Sequence, residues 1–286
     1  SWTFSNTGLP DYACVSWLAI DPIAPTNVYA GIRNSSVDLY KSTNAGETWI
    51  PAHAGLPTYG NSVVSLAIDP VTPTTLYAGT DNSGIFKSTN GGVSWEAANN
   101  GLTATNIQAL AINPTTPAVL YAGAAWDGVF KSTDSGGSWR AVAAGMPVPP
   151  VYSLAINPIT PATLYAGTDR GIYKSETSGG DWYGINAELP VYSDMRALVI
   201  DPVTPTTLYA GAYEYVFIST DGGETWGLSP VGADVYALAL TPTTLYAGTD
   251  DGVFKWLVGG WTAINTGLDN TYVYTLVVDP SSQAIL

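Results

Sequence analysis

Residues 63–97 read VVSLAIDPVTPTTLYAGTDNSGIFKSTNGGVSWEA, and this stretch decides the fold. It divides into four short segments rich in β-formers and bounded by Gly, Pro, Asn and Asp. They are Val63 to Pro70, Thr75 to Thr80, Gly84 to Thr89, and a last one opened by Trp95. No apolar stripe at helical spacing competes with this reading, and the frequent Gly and Pro would break a helix. The first segment is apolar on both faces, with Leu66 and Ile68 on one and Ser65 and Ala67 on the other. Such a strand belongs in an interior, and its small residues let neighbouring sheets approach.

The pattern recurs. Leu-Tyr-Ala-Gly (Val-Tyr-Ala-Gly in the first unit) begins at Val28, Leu76, Leu120, Leu164, Leu208 and Leu245. A proline closes each apolar first segment, at Pro22, Pro70, Pro114, Pro158, Pro202, Pro242 and Pro280. A Trp opens each last segment, at Trp2, Trp49, Trp95, Trp139, Trp182, Trp226 and Trp261. The chain therefore starts with a lone fourth segment, runs through six complete units, and ends with a lone first segment and the stub Ala284-Ile285-Leu286. That offset suits a ring. It predicts an all-β, seven-bladed β-propeller of four-stranded antiparallel blades. The N-terminal strand would join the C-terminal blade, which remains incomplete for want of its third strand. Residues 1–286 are read as one such domain, with the gap open to a strand donor from a neighbour.

The turn before the last segment resembles the Asp-box, S-x-D-x-G-x-T-W. Ser219, Asp221, Gly223, Thr225 and Trp226 match it fully, and Ser132, Asp134, Gly136, Ser138 and Trp139 nearly so. Asn replaces Asp in Ser42, Asn44, Gly46, Trp49 and in Ser88, Asn90, Gly92, Trp95. Ser175, Thr177, Gly179, Trp182 is degraded, and Val258-Gly259-Gly260-Trp261 has lost the motif. With the LYAGT and DPxTP blocks, the chain is similar to the Asp-box (BNR-type) β-propeller superfamily. That group includes sialidases, xyloglucanases, sortilin-type receptors and a photosystem II assembly factor, so the resemblance implies a fold and leaves function open. The box residues are expected to be structural: a short polar side chain on turn amides, a Gly with positive φ, and a Trp plugged between strands.

Composition narrows the function. The formal charge of −14, from 9 Lys+Arg and 23 Asp+Glu, argues against nucleic acid and against anionic membrane surfaces. No apolar run is long enough to span a bilayer. One Cys and one His exclude a Cys- or His-cluster metal site, and no Asp-Gly turn has full calcium-loop spacing. No P-loop, G-x-S-x-G or H-E-x-x-H appears, so neither cofactor nor metal is expected. The chain opens at Ser1 without a leader, so an exported protein would be in processed form. The low charge and the abundance of Tyr and Ser point to an extracellular or cell-surface setting, with the periplasm also compatible.

Chain direction separates two faces. The box face is repetitive and reads as scaffold, while loops on the other vary and are the place for binding. At the mouth of the innermost strands, equivalent positions carry Ser16, Val64, Gln108, Tyr152, Arg196, Tyr236 and Tyr274. The loops after the second strands add Trp126, Asp127, Arg170, Tyr213 and Glu214. Tyr, Trp and Arg of this kind suit protein hot spots or sugar stacking. The expectation is a non-catalytic binding or scaffold module for a protein or glycan. The alternatives are a glycoside hydrolase-like protein or lectin, and a subunit of an extracellular assembly. A sialidase resemblance would imply three arginines converging on a carboxylate, and of the four here only Arg196 lies on an innermost strand. A glycosidase needs two facing carboxyls, for which Asp127, Asp169, Glu214, Asp250 and Asp251 are available.

Overall fold

The computed structural model describes residues 2–11, 13–33, 39–57, 62–147, 149–190 and 193–286. They form six four-stranded antiparallel sheets, each with its strands in chain order. Blade 1 comprises Cys14–Ile20, Val28–Arg33, Leu39–Ser42 and Ile50–Pro51, and blade 2 comprises Val63–Ile68, Leu76–Thr80, Ile85–Ser88 and Glu96–Ala97. Blade 3 comprises Ile107–Ile112, Leu120–Ala124, Val129–Ser132 and Arg140–Ala141. Blade 4 comprises Val151–Ile156, Leu164–Thr168, Gly171–Ser175 and Tyr183–Gly184. Blade 5 comprises Ala197–Ile200, Leu208–Ala212, Tyr215–Ser219 and Gly227–Pro230. Blade 6 comprises Val235–Leu240, Leu245–Thr249, Gly252–Leu257 and Gly260–Ala263.

The chain is a β-propeller of four-stranded blades, but six blades form and not the expected seven. Residues 273–286 make one isolated bridge, Val278 to Ile285, and the N-terminal segment forms no strand among the described residues. The reason is the missing third strand. Without it the N-terminal segment has no edge on which to build a ladder, and a lone hairpin is marginal in water.

Second strands are the most buried. In blade 2 every residue of Leu76–Thr80 is covered. Their glycine is a close-approach residue: a Cβ on Gly79 would lie 2.8 Å from the carbonyl oxygen of Ile107, where the next blade's first strand begins. A Cβ on Gly248 would lie 2.9 Å from the carbonyl of Val273, so the segment after blade 6 approaches blade 6 as one blade approaches the next.

Successive sectors are bolted by tryptophan. The indole N–H of Trp95 donates to the Ala52 carbonyl of blade 1's exit at 2.8 Å, Trp139 to Ala98 at 2.9 Å, Trp182 to Val142 at 2.6 Å, and Trp226 to Ile185 at 2.8 Å. The chain ends use the same device. Trp2 donates to Ile264 at 2.7 Å, beyond the last strand of blade 6, and Trp49 of blade 1 donates to Ser5 at 2.8 Å. The backbone N–H of Trp2 also bonds to the Thr266 carbonyl at 2.8 Å. The N-terminal segment thus bridges blade 6 and blade 1.

Blades also engage across the box face. The hydroxyls of Tyr29, Tyr77, Tyr121 and Tyr165 donate to the carbonyls of Gly91, Ser135, Ser178 and Gly222 in the next blade's box turn, at 3.0–3.3 Å. Lys41, Lys87 and Lys131 reach the first three of these oxygens at 2.8–3.0 Å while lying over the same tyrosine rings. Burial pushes the Tyr29 and Tyr77 hydroxyls up to about 12, with nearby carboxylates adding to it.

Trp95 is 3 % exposed, so Trp95→Ala leaves a cavity and an unpaired carbonyl. It is expected to cost about 3–5 kcal/mol in chemical denaturation. A denaturation midpoint unchanged from the parent would contradict the bolt.

Candidate functional site

The box residues are architectural. Ser132 Oγ donates to Asp134 Oδ1 at 2.8 Å and accepts the Gly136 N–H at 2.9 Å, while Ser138 N–H returns to Asp134 Oδ1 at 2.8 Å. Ser219, Asp221, Gly223 and Thr225 repeat the arrangement. So do Ser42, Asn44 and Gly46, and Ser88, Asn90 and Gly92. The hydrogen bonds from Ser138 and Ser132 hold the Asp134 carboxyl down at about 2, and those from Thr225 and Ser219 hold Asp221 lower still. A lowered folded-state value means that this stabilisation is complete above the unfolded value of 3.8 and is lost as pH falls toward 2. The Asn44 and Asn90 boxes make the corresponding bonds without titrating, so Asp134→Asn is expected to fold normally and to be less acid-sensitive than the parent. A carboxyl at 134 that titrates near 3.8 by NMR would contradict this.

The opposite face is different. Ser16, Val64, Gln108, Tyr152, Arg196, Tyr236 and Tyr274, expected at one mouth, line a single central channel of about 300 Å³. Each stands near the start of an innermost strand or, for Tyr274, on the segment after blade 6. The tyrosines gather on one side. Tyr236 and Tyr274 have ring centroids 5.3 Å apart, and Tyr272 stacks on Tyr274 at 6.2 Å with 28° between planes. Two guanidiniums cover this array, Arg196 at 5.5 Å from the Tyr236 centroid and Arg33 at 5.9 Å from that of Tyr274. Arg196 is oriented by a 3.0 Å ion pair with Asp194. Tyr213, with a backbone φ of 46°, joins Asp194, Arg196, Asp234 and Tyr236 around a small side recess.

Partial burial, then Asp194 and Asp169, raise the Tyr152 hydroxyl, and partial burial, then Asp250 and Asp234, raise that of Tyr236, while Arg196 opposes both. The phenols are therefore neutral donors at ordinary pH. The cluster combines flat apolar faces, hydroxyl donors, cations and carboxylates, the mixture found in recognition surfaces.

The loop candidates are not drawn in equally. Trp126 is 70 % exposed. It lies outside the channel lining, as do Asp127, Arg170 and Glu214, which are also exposed. Arg33, Asp194, Asp234 and Tyr272 belong to the cluster but stand outside the repeat-equivalent mouth positions. Their signal was proximity in sequence: Asp194, Asp234 and Tyr272 each precede a mouth residue by two. Among the described residues, no group of three or more His, Cys, Asp or Glu is placed to hold a metal ion. Among the described residues no helix is long and apolar enough to cross a membrane.

A BNR/Asp-box repeat model matches residues 217–226, the full-match turn of blade 5. The chain carries a BNR/Asp-box repeat on a β-propeller fold. No curated protein matches it. Solved structures share its fold at low identity. The GH74 xyloglucanase of Xanthomonas campestris is 18 % identical with a TM-score of 0.73, covering 89 % of this chain and 47 % of its own. The extracellular domain of a putative one-component system of B. thetaiotaomicron is 21 % identical with a TM-score of 0.76, covering 98 % and 38 %. YCF48 bound to D1 peptide is 18 % identical with a TM-score of 0.65, covering 87 % and 80 %. The chain thus spans less than half the length of the first two.

Arg196→Gln removes the charge that restrains Tyr152 and Tyr236. Both hydroxyls are expected to titrate at higher pH than in the parent by NMR. Unchanged titration would show that the guanidinium does not act on these rings.

Proposed function

We propose that this propeller is a non-catalytic binding or scaffold module, acting outside the cytoplasm and engaging a protein or glycan at the channel mouth. The observation that carries the reading is the Tyr236–Tyr274–Tyr272 array under Arg196 and Arg33. Stacked phenols offer broad contact area at low entropic cost, and their hydroxyls and the arginines supply orientation. The extracellular sensor domain and the peptide-bound YCF48 among the similar folds support recognition as the use of such a ring.

The second reading is a carbohydrate-active protein. It is favoured by the 55 % exposure of Tyr272 beside Asp-rich loops and by the GH74 fold likeness. Glycan and peptide arrays, each probed with the parent and with a Tyr236→Ala/Tyr274→Ala variant, test both. The parent is expected to bind one class, the variant to lose at least roughly tenfold in affinity, and the bound ligand to be recovered intact. Release of new reducing ends from a bound glycan would replace this reading with the hydrolase. Binding that the double variant retains in full would remove the channel mouth from consideration.

A further inference from the structure

The box face breaks its own rule between blades 5 and 6. In blades 1 to 4 each second-strand tyrosine is covered by the next blade's box turn and donates to one of its carbonyls. Tyr209 of blade 5 has no such cover, because blade 6 has lost its box. Its third and fourth strands are joined by Val258 and Gly259 alone. The turn between its first two strands is shortened as well, to Thr241–Thr244, where the preceding blade has Asp201–Thr207. The hydroxyl of Tyr209 makes no hydrogen bond among the described residues. What remains is a notch of about 850 Å³ lined by Val203, Tyr209, Ile218, Thr243 and Trp256. It continues past Ile218 and Trp256 into a second hollow of about 610 Å³.

The sequence has adapted to the loss. The third strands carry Lys41, Lys87, Lys131, Lys174 and Lys255 at one position, and blade 5 carries Ile218 there. In blades 1 to 3 that lysine serves a box carbonyl. A seat left to water would tolerate the lysine; an isoleucine suits an apolar occupant. Beside the notch the replacement turn stands clear of its own chain. Val258 is fully exposed and Leu257 is 44 % exposed. A Cβ built on Gly259 or Gly260 would meet nothing within 4 Å.

We propose that this notch is a self-association face, in which the Leu257–Gly260 turn of a second copy enters the seat over Tyr209 and Ile218. The occupied seats of the same molecule define the occupant as a tight, glycine-containing turn presenting a backbone carbonyl to the tyrosine hydroxyl. The Leu257–Gly260 turn is such an element, is apolar, and adjoins the seat without filling it. Knob and hole side by side on one surface are what an isologous two-fold contact requires. Charge does not oppose the contact locally. Of the notch lining only Asp201 is charged, and its carboxylate is engaged by the Val203 and Thr204 amides at 2.8 and 3.0 Å.

Sedimentation velocity of the whole chain over a concentration series tests this. The parent is expected to dimerise reversibly. Val258→Asp and Ile218→Lys are each expected to raise the dimer dissociation constant at least roughly tenfold. Val93→Asp, at an exposed position of an intact box turn, is expected to leave it unchanged. A fourth variant replaces Trp256–Gly260 with Ser-Thr-Asp-Gly-Gly-Glu-Thr, restoring the box in cis, and is expected to be monomeric. Circular dichroism checks that each variant is folded. A parent that stays monomeric throughout, or a dimer indifferent to both Val258→Asp and Ile218→Lys, overturns the proposal.

Discussion

The hydrogen bond from an indole N–H to a carbonyl in the preceding sector is the contact on which the ring depends. A four-stranded blade of this size has fourth strands of two to four residues and cannot stand alone. Each blade needs its neighbour to bury the second strand, and the tryptophan sets the distance and angle of that neighbour. One buried ring supplies apolar area, fills the gap between sheets, and satisfies a carbonyl that would otherwise be stranded. The glycine of Leu-Tyr-Ala-Gly is the complementary constraint, since only a residue without Cβ lets the next blade's inner strand come within contact of the second.

The two faces follow from this division of labour. Box turns on one face close the interfaces from blade 1 to blade 5 through tyrosine, joined by lysine in the first three, so their sequence is held to a narrow pattern and their carboxylates are engaged by turn amides. The opposite face carries no such duty. There, equivalent mouth positions range from Ser16 and Val64 to Arg196 and Tyr274, and the tyrosines that collect on one side build a surface with both stacking area and charge. Where the box pattern lapses, between blades 5 and 6, the scaffold face itself gains an unsatisfied apolar seat.

Much of this was legible in the chain. The repeated Trp, Leu-Tyr-Ala-Gly and Pro positions gave the four-stranded blade and its order, and the box signature identified the turn that the structure shows. The convergence of Ser16, Gln108, Tyr152, Arg196 and Tyr236 followed from repeat equivalence alone. The blade count did not. Counting tryptophans and prolines gives seven sectors, but a sheet also needs ladder partners, and the seventh sector lacks its third strand. Nor could periodicity place Trp126 or Glu214, because loop residues are not held in register by a ladder. Tyr272 was missed for the converse reason: it enters the cluster from a loop.

The bridging of blade 6 and blade 1 by residues 2–9 is the central structural claim, and a spin-label distance tests it most directly. With Cys14 replaced, nitroxides at Phe4 and Leu268 report the separation of the N-terminal segment from the exit of blade 6. The account requires one short, narrow distance distribution, as the Trp2 bonds to Ile264 and Thr266 dictate. A broad distribution extending across the width of the molecule would mean that the ring is open.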